Sequence, residues 1–384
     1  LNVSSKTAKR RRKRLLSDVL TPDVDGPPYY FAAGPAVLPR PVKLRLRDEL
    51  LDYGDTGVSI LELGHRSDAF LEIVDRSRAR LRALLEIPDD YRVLLLPAGA
   101  RAQFSMIPMN LVSPETTVDF VLTGYWSRQA MNEAARYCPV NVAASSEADD
   151  FNSIPSADSW KLDDNAGYVY LTANETIKGV EFHTLPDGIH RPLVCDMTSS
   201  ILTTPVDVSR YGLIFAASQK NLGTAGLCLV IVHRDLLGRA RPETPVLFNY
   251  ARQDEMNSLM NTPPVVSWYV MDMVLEWLQQ QGGPAAMAGM HEERSARLYR
   301  CIDDSGLFGN RIAADCRSRV NISFELHQPA LRDTFLQASR AAGLLALEGH
   351  KSAGDFRASL YNAMPTAGVD ALIDFLRDFE SRHG

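Results

Sequence analysis

Between residues 91 and 232 the chain repeats one pattern: a short unbroken apolar run, a few small or polar residues, then a stretch with apolar positions three and four apart. The runs Tyr91–Pro97, Thr117–Gly124, Gly167–Thr172, Pro192–Asp196, the one leading through Phe215-Ala-Ala217, and Leu227–Val232 read as strands. Runs that are apolar at every position belong to strands covered on both faces, so the pattern predicts an α/β fold with a mostly parallel sheet and helices between its strands. Helices are expected over 41–52, over 68–87 after the N-cap residue Ser67, from the turn 98–104 to about 112, and over 127–137. Asn261-Thr-Pro-Pro264 opens a further long helix that ends near Gly282-Gly-Pro284. Beyond that hinge the periodicity gives helix 285–303, strand 318–326, helix 329–342, a strand near 344–348, strand 356–361 and helix 366–381, a smaller α+β layer. Three parts follow: a basic extension over 1–30, a large domain over 31–283 and a small domain over 284–384.

Composition narrows the class only modestly. A 384-residue chain with 45% hydrophobic and 23% charged residues is ordinary for a two-domain globular protein. No apolar run reaches bilayer length and no secretory signal pattern is read, so a cytoplasmic location without membrane partners is expected. The five cysteines show no paired-ligand spacing, which argues for reduced thiols and no metal site. Charge is uneven: residues 1–30 carry seven Lys/Arg against three Asp, a balance of +4, leaving −10 on the rest of a chain of net charge −6. An acidic body argues against nucleic acid as a partner, and the basic run, cut off by Pro27-Pro28, is expected to be a disordered extension.

Candidate chemistry centres on Lys220. A run of small and apolar residues delivers it to a turn containing Gly223 and Gly226. Away from water its ammonium is disfavoured and the neutral amine becomes a nucleophile for carbonyls. A surface lysine at a strand end is the plainer reading of that stretch alone. The upstream strand, however, ends in Asp196, and an aspartate and a lysine ending successive strands suit a cofactor whose aldehyde is held by the amine while its ring nitrogen is held by the carboxylate. The turn 98–104 between a strand and a helix presents free backbone N–H groups to an anion. Trp126 follows a strand and either stacks on a planar ligand or packs the core. The pair His65-Arg66 is suited to an anion grip or is a solvated start to a helix.

Read together, several segments resemble the phosphoserine aminotransferases of class V, a pyridoxal-phosphate family. They are Phe31–Ala36, Gly64-His-Arg66, Arg101 with Gln103-Phe104, Gly124-Tyr-Trp126, Asn174-Glu-Thr176, Asp207–Gly212, Gln219-Lys-Asn221, Asn261–Pro264 and Arg357–Pro365. The resemblance implies a fold-type-I transferase: a large domain with a mostly parallel seven-stranded sheet and a smaller α+β C-terminal domain in contact with the N-terminal segment. It implies pyridoxal 5'-phosphate held by Lys220 as a Schiff base, with Asp196 on the pyridine nitrogen, Trp126 on the ring and Thr176 on the phenolic oxygen. The cofactor phosphate would rest on Ala100, Arg101 and Gln219, with Asn261 and Thr262 reaching in from the second chain of a homodimer. Arg357 would take the substrate α-carboxylate, and His65, Arg66, Arg101, His350 and Lys351 would face its distal anion. The implied reaction is ping-pong transamination between glutamate/2-oxoglutarate and 3-phosphohydroxypyruvate/O-phosphoserine.

Departures from the family pattern fall near the substrate. Ala100 and Ala102 flank Arg101 where glycines are usual, Lys351 stands where an arginine is common, and Ser218 and Thr224 replace commoner residues around the lysine. A methyl group disfavours positive φ and close backbone approach, so a narrower pocket is expected. Lysine lacks the planar fork of arginine, so phosphate recognition is expected to differ. The alternative is therefore a same-family aminotransferase acting on a phosphonate or dicarboxylate oxo acid. A desulfurase would need a cysteine in a mobile loop near the site, and Cys195 and Cys228 lie in strands where inert thiols are the rule.

Overall fold

The computed structural model describes residues 26, 28–350 and 355–384, so the expected disorder of residues 1–30 falls almost wholly outside the described residues, as does Lys351. Seven strands form the large sheet. Across it the order is Tyr91–Pro97, Leu227–His233, Leu213–Ala217, Leu193–Asp196, Val169–Thr172, Val118–Leu122 and Val140–Ser145. Leu227–His233 runs antiparallel to both its neighbours and the remaining pairs are parallel. Alternation explains why these strands are apolar throughout. Val93, Leu95, Leu171, Cys195, Ile214 and Ile231 face one core. Leu94, Leu96, Tyr170, Val194, Phe215 and Val230 face another.

The first core is closed by the helices Asp68–Leu85 and Val265–Gln280, and the second by Ala100–Leu111 and Tyr125–Ala134. Ser67 caps its helix as expected, accepting from the Phe70 N–H at 3.3 Å. The helix Val265–Gln280 is apolar nearly all round because it is buried nearly all round, from Trp268 to Leu275. Its one buried carboxylate, Asp272, accepts from Arg76 at 2.9 Å and Arg80 at 2.5 Å, so the charge enters the core already paired.

Several boundaries move. The first helix ends at Glu49 instead of continuing to 52, and the helix expected from 127 begins at Tyr125, so Tyr125 and Trp126 form its first turn. The strand Val140–Ser145 has no counterpart in the sequence reading, because at the sheet edge half its positions need not be apolar. Gly282 does mark a corner, but the next helix, Gly283–Asp303, starts immediately after it.

A third core gathers around Phe308, Phe324, Phe335, Phe356 and Phe379, with the three-stranded antiparallel sheet Phe308–Gly309, Asn321–Leu326 and Phe356–Ser359. Tyr29–Tyr30 pairs in parallel with Leu344–Leu345, and Phe31 is buried in this core. The beginning of the body is thereby stitched to its end before it runs towards Lys220. No helix among the described residues is long and apolar enough to cross a membrane. All five cysteines are free and buried.

Candidate active site

Lys220 sits three residues beyond the strand Leu213–Ala217, in the reversal that leads into Leu227–His233. Ser218 closes this reversal: its hydroxyl donates to the Thr224 carbonyl at 2.5 Å and accepts from the Leu227 N–H at 3.2 Å. The unusual Ser218 thus holds the turn. The Lys220 side chain is buried and its Nζ donates to Thr176 Oγ1 at 2.6 Å. Burial brings its pKa down to about 8, with the positive Arg357 acting in the same sense and Asp196 and Glu175 opposing. The neutral fraction of the amine near physiological pH is therefore far larger than that of an ordinary lysine.

Asp196 ends the neighbouring strand Leu193–Asp196, and its carboxylate accepts from the Thr198 N–H at 2.8 Å. Burial pushes its pKa up, while the bonds from Thr198 and the charge of Lys220 pull it down. A carboxylate with raised proton affinity at the floor of a pocket is suited to sharing a proton with a basic ring nitrogen.

One wall is the first turn of the helix Tyr125–Ala134. The Arg101 guanidinium lies 5.5 Å from the centre of the Trp126 ring, and the rings of Tyr125 and His350 are 5.7 Å apart. Packed against the helix Tyr125–Ala134, the helix Ala100–Leu111 begins at Gly99 with no side chain capping it. Its leading N–H groups and dipole make an anion seat. Ala100 and Ala102 are helical and take no positive φ; the strained residue is Ala98, at φ 151°. The conformational difficulty expected at Ala100 and Ala102 therefore does not arise.

The smaller core contributes Arg357, from the strand Phe356–Ser359, and His350. Burial lowers the Arg357 pKa, and its Nε has no partner among the described residues. The stitched N-terminal segment contributes Ala33 and Gly34: Tyr361 donates to the Ala33 carbonyl at 2.7 Å and the Ala36 N–H donates to the Gln219 carbonyl at 2.9 Å. Gly34 has φ +134°, and a Cβ there would stand 3.3 Å from Lys220 Cγ.

These groups enclose a cavity of about 520 Å³, enough for a cofactor and a small substrate together. Of the residues singled out from sequence, Ala100, Arg101, Trp126, Thr176, Asp196, Gln219, Lys220, His350 and Arg357 line it. His65, Arg66, Asn261 and Thr262 are not among the residues that line it in the single chain, and Arg66 and Thr262 are exposed. Sequence reasoning gave no role to Gly34, Tyr125, Thr198, Ser199 or the buried Glu175. The motif Asn174-Glu-Thr176 was noted, but nothing in it signals which residue faces which element. A fit to pyridoxal phosphate is supported by three more buried polar atoms on pocket-lining residues, Trp126 Nε1, Thr172 Oγ1 and Asn174 Oδ1, which also lack partners among the described residues.

Fold and site define a transferase of the class-V aminotransferase family, whose profile matches residues 28–372, and the chain belongs to it. Within that class its family is that of the phosphoserine aminotransferases. It is 47% identical over 358 residues to the phosphoserine aminotransferase of Laribacter hongkongensis, covering 93% of this chain and 99% of that one. The phosphoserine aminotransferase of Bacillus circulans subsp. alkalophilus superimposes with a TM-score of 0.90 at 40% identity, over 93% of this chain and 99% of that one. The pyridoxal-phosphate-bound phosphoserine aminotransferase of Trichomonas vaginalis gives 0.87 at 36% identity, over 91% and 99%.

Proposed function

We propose that this protein is a pyridoxal-5'-phosphate-dependent aminotransferase that exchanges an amino group between glutamate/2-oxoglutarate and O-phosphoserine/3-phosphohydroxypyruvate, the step that supplies phosphoserine for serine biosynthesis. The observation that carries the reading is the buried Lys220 amine, its pKa lowered to about 8, set among Asp196, Thr176, Trp126 and Arg357. When bound, the cofactor supplies an aldehyde to carry the amino group and a ring that withdraws electrons from the substrate Cα.

The chain's own residues do the rest. Lys220 Nζ would hold the aldehyde and, as the basic amine beside the reacting carbon, would accept the proton from the substrate Cα and donate it back in the reverse half. Asp196 would keep the ring nitrogen protonated, Thr176 Oγ1 would hydrogen-bond the ring oxygen, and the Trp126 indole would stack on the ring. The helix start at Ala100 and Arg101, with Gln219, would hold the cofactor phosphate. Arg357 binds the α-carboxylate with its planar fork, while Arg101 and His350 face the distal anion. Both amino donor and acceptor carry two anions, so one pocket serves the two halves of a ping-pong cycle.

The same reading includes a homodimer. His65, Arg66, Asn261 and Thr262 do not line the pocket of one chain, and exposed apolar residues neighbour them in sequence: Val58 and Leu61 on one side, Met256 on the other. A second copy covering these surfaces would bring Asn261 and Thr262 to the facing pocket. The test is to reconstitute the purified protein with pyridoxal phosphate and add glutamate. The visible absorption band is expected to give way to a shorter-wavelength one as 2-oxoglutarate appears, and 3-phosphohydroxypyruvate is expected to restore it. Preferred turnover of a phosphonate or dicarboxylate oxo acid would displace phosphohydroxypyruvate as the acceptor.

A further inference from the structure

Glu175 is fully buried and its charge acts on Lys220, yet among the described residues it makes no salt bridge to a lysine or arginine, and it has no part in the chemistry above. Its carboxylate spans the first turn of the helix that carries Trp126. One oxygen accepts from the Trp126 N–H at 2.9 Å, and the other accepts from the Ser127 N–H and the Ser127 hydroxyl, both at 2.8 Å. Three donors converging on two oxygens favour an acceptor-only group, the ionised carboxylate. Burial pushes its pKa up, and the Ser127 and Trp126 bonds hold it down. At a helix start, such a charge also meets the positive end of the dipole.

Two further observations give this contact a direction. Glu175 is the residue before Thr176, whose hydroxyl receives the Lys220 amine at 2.6 Å. Gly124 provides the space: a Cβ there would lie 2.4 Å from Glu175 Cδ, 2.6 Å from Cγ and 2.7 Å from Oε2. Because three hydrogen bonds pin the carboxylate, it cannot swing aside to admit a methyl group. We propose that Glu175 is a positioning residue that locks the Trp126 turn to the strand end bearing Thr176, fixing the separation between indole face and lysine amine, and that glycine at position 124 is the clearance this lock requires. The inference rests on the reading that Trp126 stacks on the pyridoxal ring.

The test compares Glu175→Gln and Gly124→Ala with the wild type, each stripped of cofactor and titrated with pyridoxal phosphate by equilibrium dialysis. Thermal midpoints of the cofactor-free proteins and circular dichroism of the bound cofactor are recorded alongside. In Glu175→Gln the amide NH2 must oppose a backbone N–H. Cofactor affinity is expected to fall about tenfold, the scale of one lost charged hydrogen bond, with a weaker dichroic band. The pH midpoint of the cofactor's visible spectrum is expected to move down, since a negative charge near Lys220 is gone. Gly124→Ala keeps every charge, so it is expected to lose affinity and dichroism without that electrostatic shift, and it carries the test by itself if Glu175→Gln does not fold. Variants that melt lower but bind cofactor with wild-type affinity and dichroism would overturn the inference. A wild-type protein that fails to bind pyridoxal phosphate would undo the functional reading instead.

Discussion

Lys220 Nζ and Thr176 Oγ1 are 2.6 Å apart, so the hydroxyl assigned to the ring oxygen of the cofactor is also the hydrogen-bond partner of the amine that must attack its aldehyde. Only the neutral amine attacks, and burial sets its pKa at about 8. The rate at which cofactor-free protein takes up pyridoxal phosphate is expected to rise roughly tenfold per pH unit below that value and to level off above it. Stopped-flow absorbance across pH 6 to 10 checks this. A rate still climbing steeply past pH 9 would show an amine with an ordinary, exposed pKa.

The same shift has a stability consequence. A lysine whose folded pKa lies below its unfolded value of 10.5 destabilises the fold while it is protonated in both states. That penalty fades as pH rises from about 8 to 10.5 and is absent above it. Cofactor-free wild type should therefore gain stability relative to Lys220→Met across this window, read as the difference between their urea midpoints. A difference independent of pH would contradict the assigned environment.

Asp196→Asn preserves the shape of the side chain but removes its charge. The fold is expected to survive, because burial already disfavours that charge, whereas kcat should drop by about a hundredfold or more as the ring nitrogen loses its counterion. Kinetics with saturating glutamate and phosphohydroxypyruvate, beside a melting curve, separate the two effects.

For Arg357→Lys the planar fork becomes a point charge. Since the guanidinium is largely desolvated and its Nε unpartnered among the described residues, kcat/KM is expected to fall roughly tenfold to a hundredfold for glutamate and phosphoserine alike. Losses confined to one of the two would place Arg357 on the distal anion instead of the shared carboxylate.

Gly34→Ala probes the stitched N-terminal segment. At φ +134°, with the new Cβ 3.3 Å from Lys220 Cγ, alanine must strain the backbone and crowd the lysine stem. Weaker retention of pyridoxal phosphate is the expected result, measured by dialysis, with the remainder of the fold intact by circular dichroism.

By itself the sequence determined the alternation of apolar runs and helical stretches, and with it the parallel sheet, and it placed Asp196 and Lys220 where strands end. Those features are local: a strand buried on both faces must be apolar at every position, and a turn ending in glycine marks itself. The recurring short motifs fixed the family, since each residue type in them answers to one chemical need. Tertiary structure alone decided that residues 29–34 return through the small core to touch Lys220, that Glu175 grips the Trp126 turn, and that Ala100 and Ala102 take helical angles without strain. It also left His65, Arg66, Asn261 and Thr262 out of the lining of their own chain's pocket. Such relations join residues tens to hundreds of positions apart, and no periodicity or spacing along the chain encodes which buried carboxylate will meet which helix start once the layers have packed.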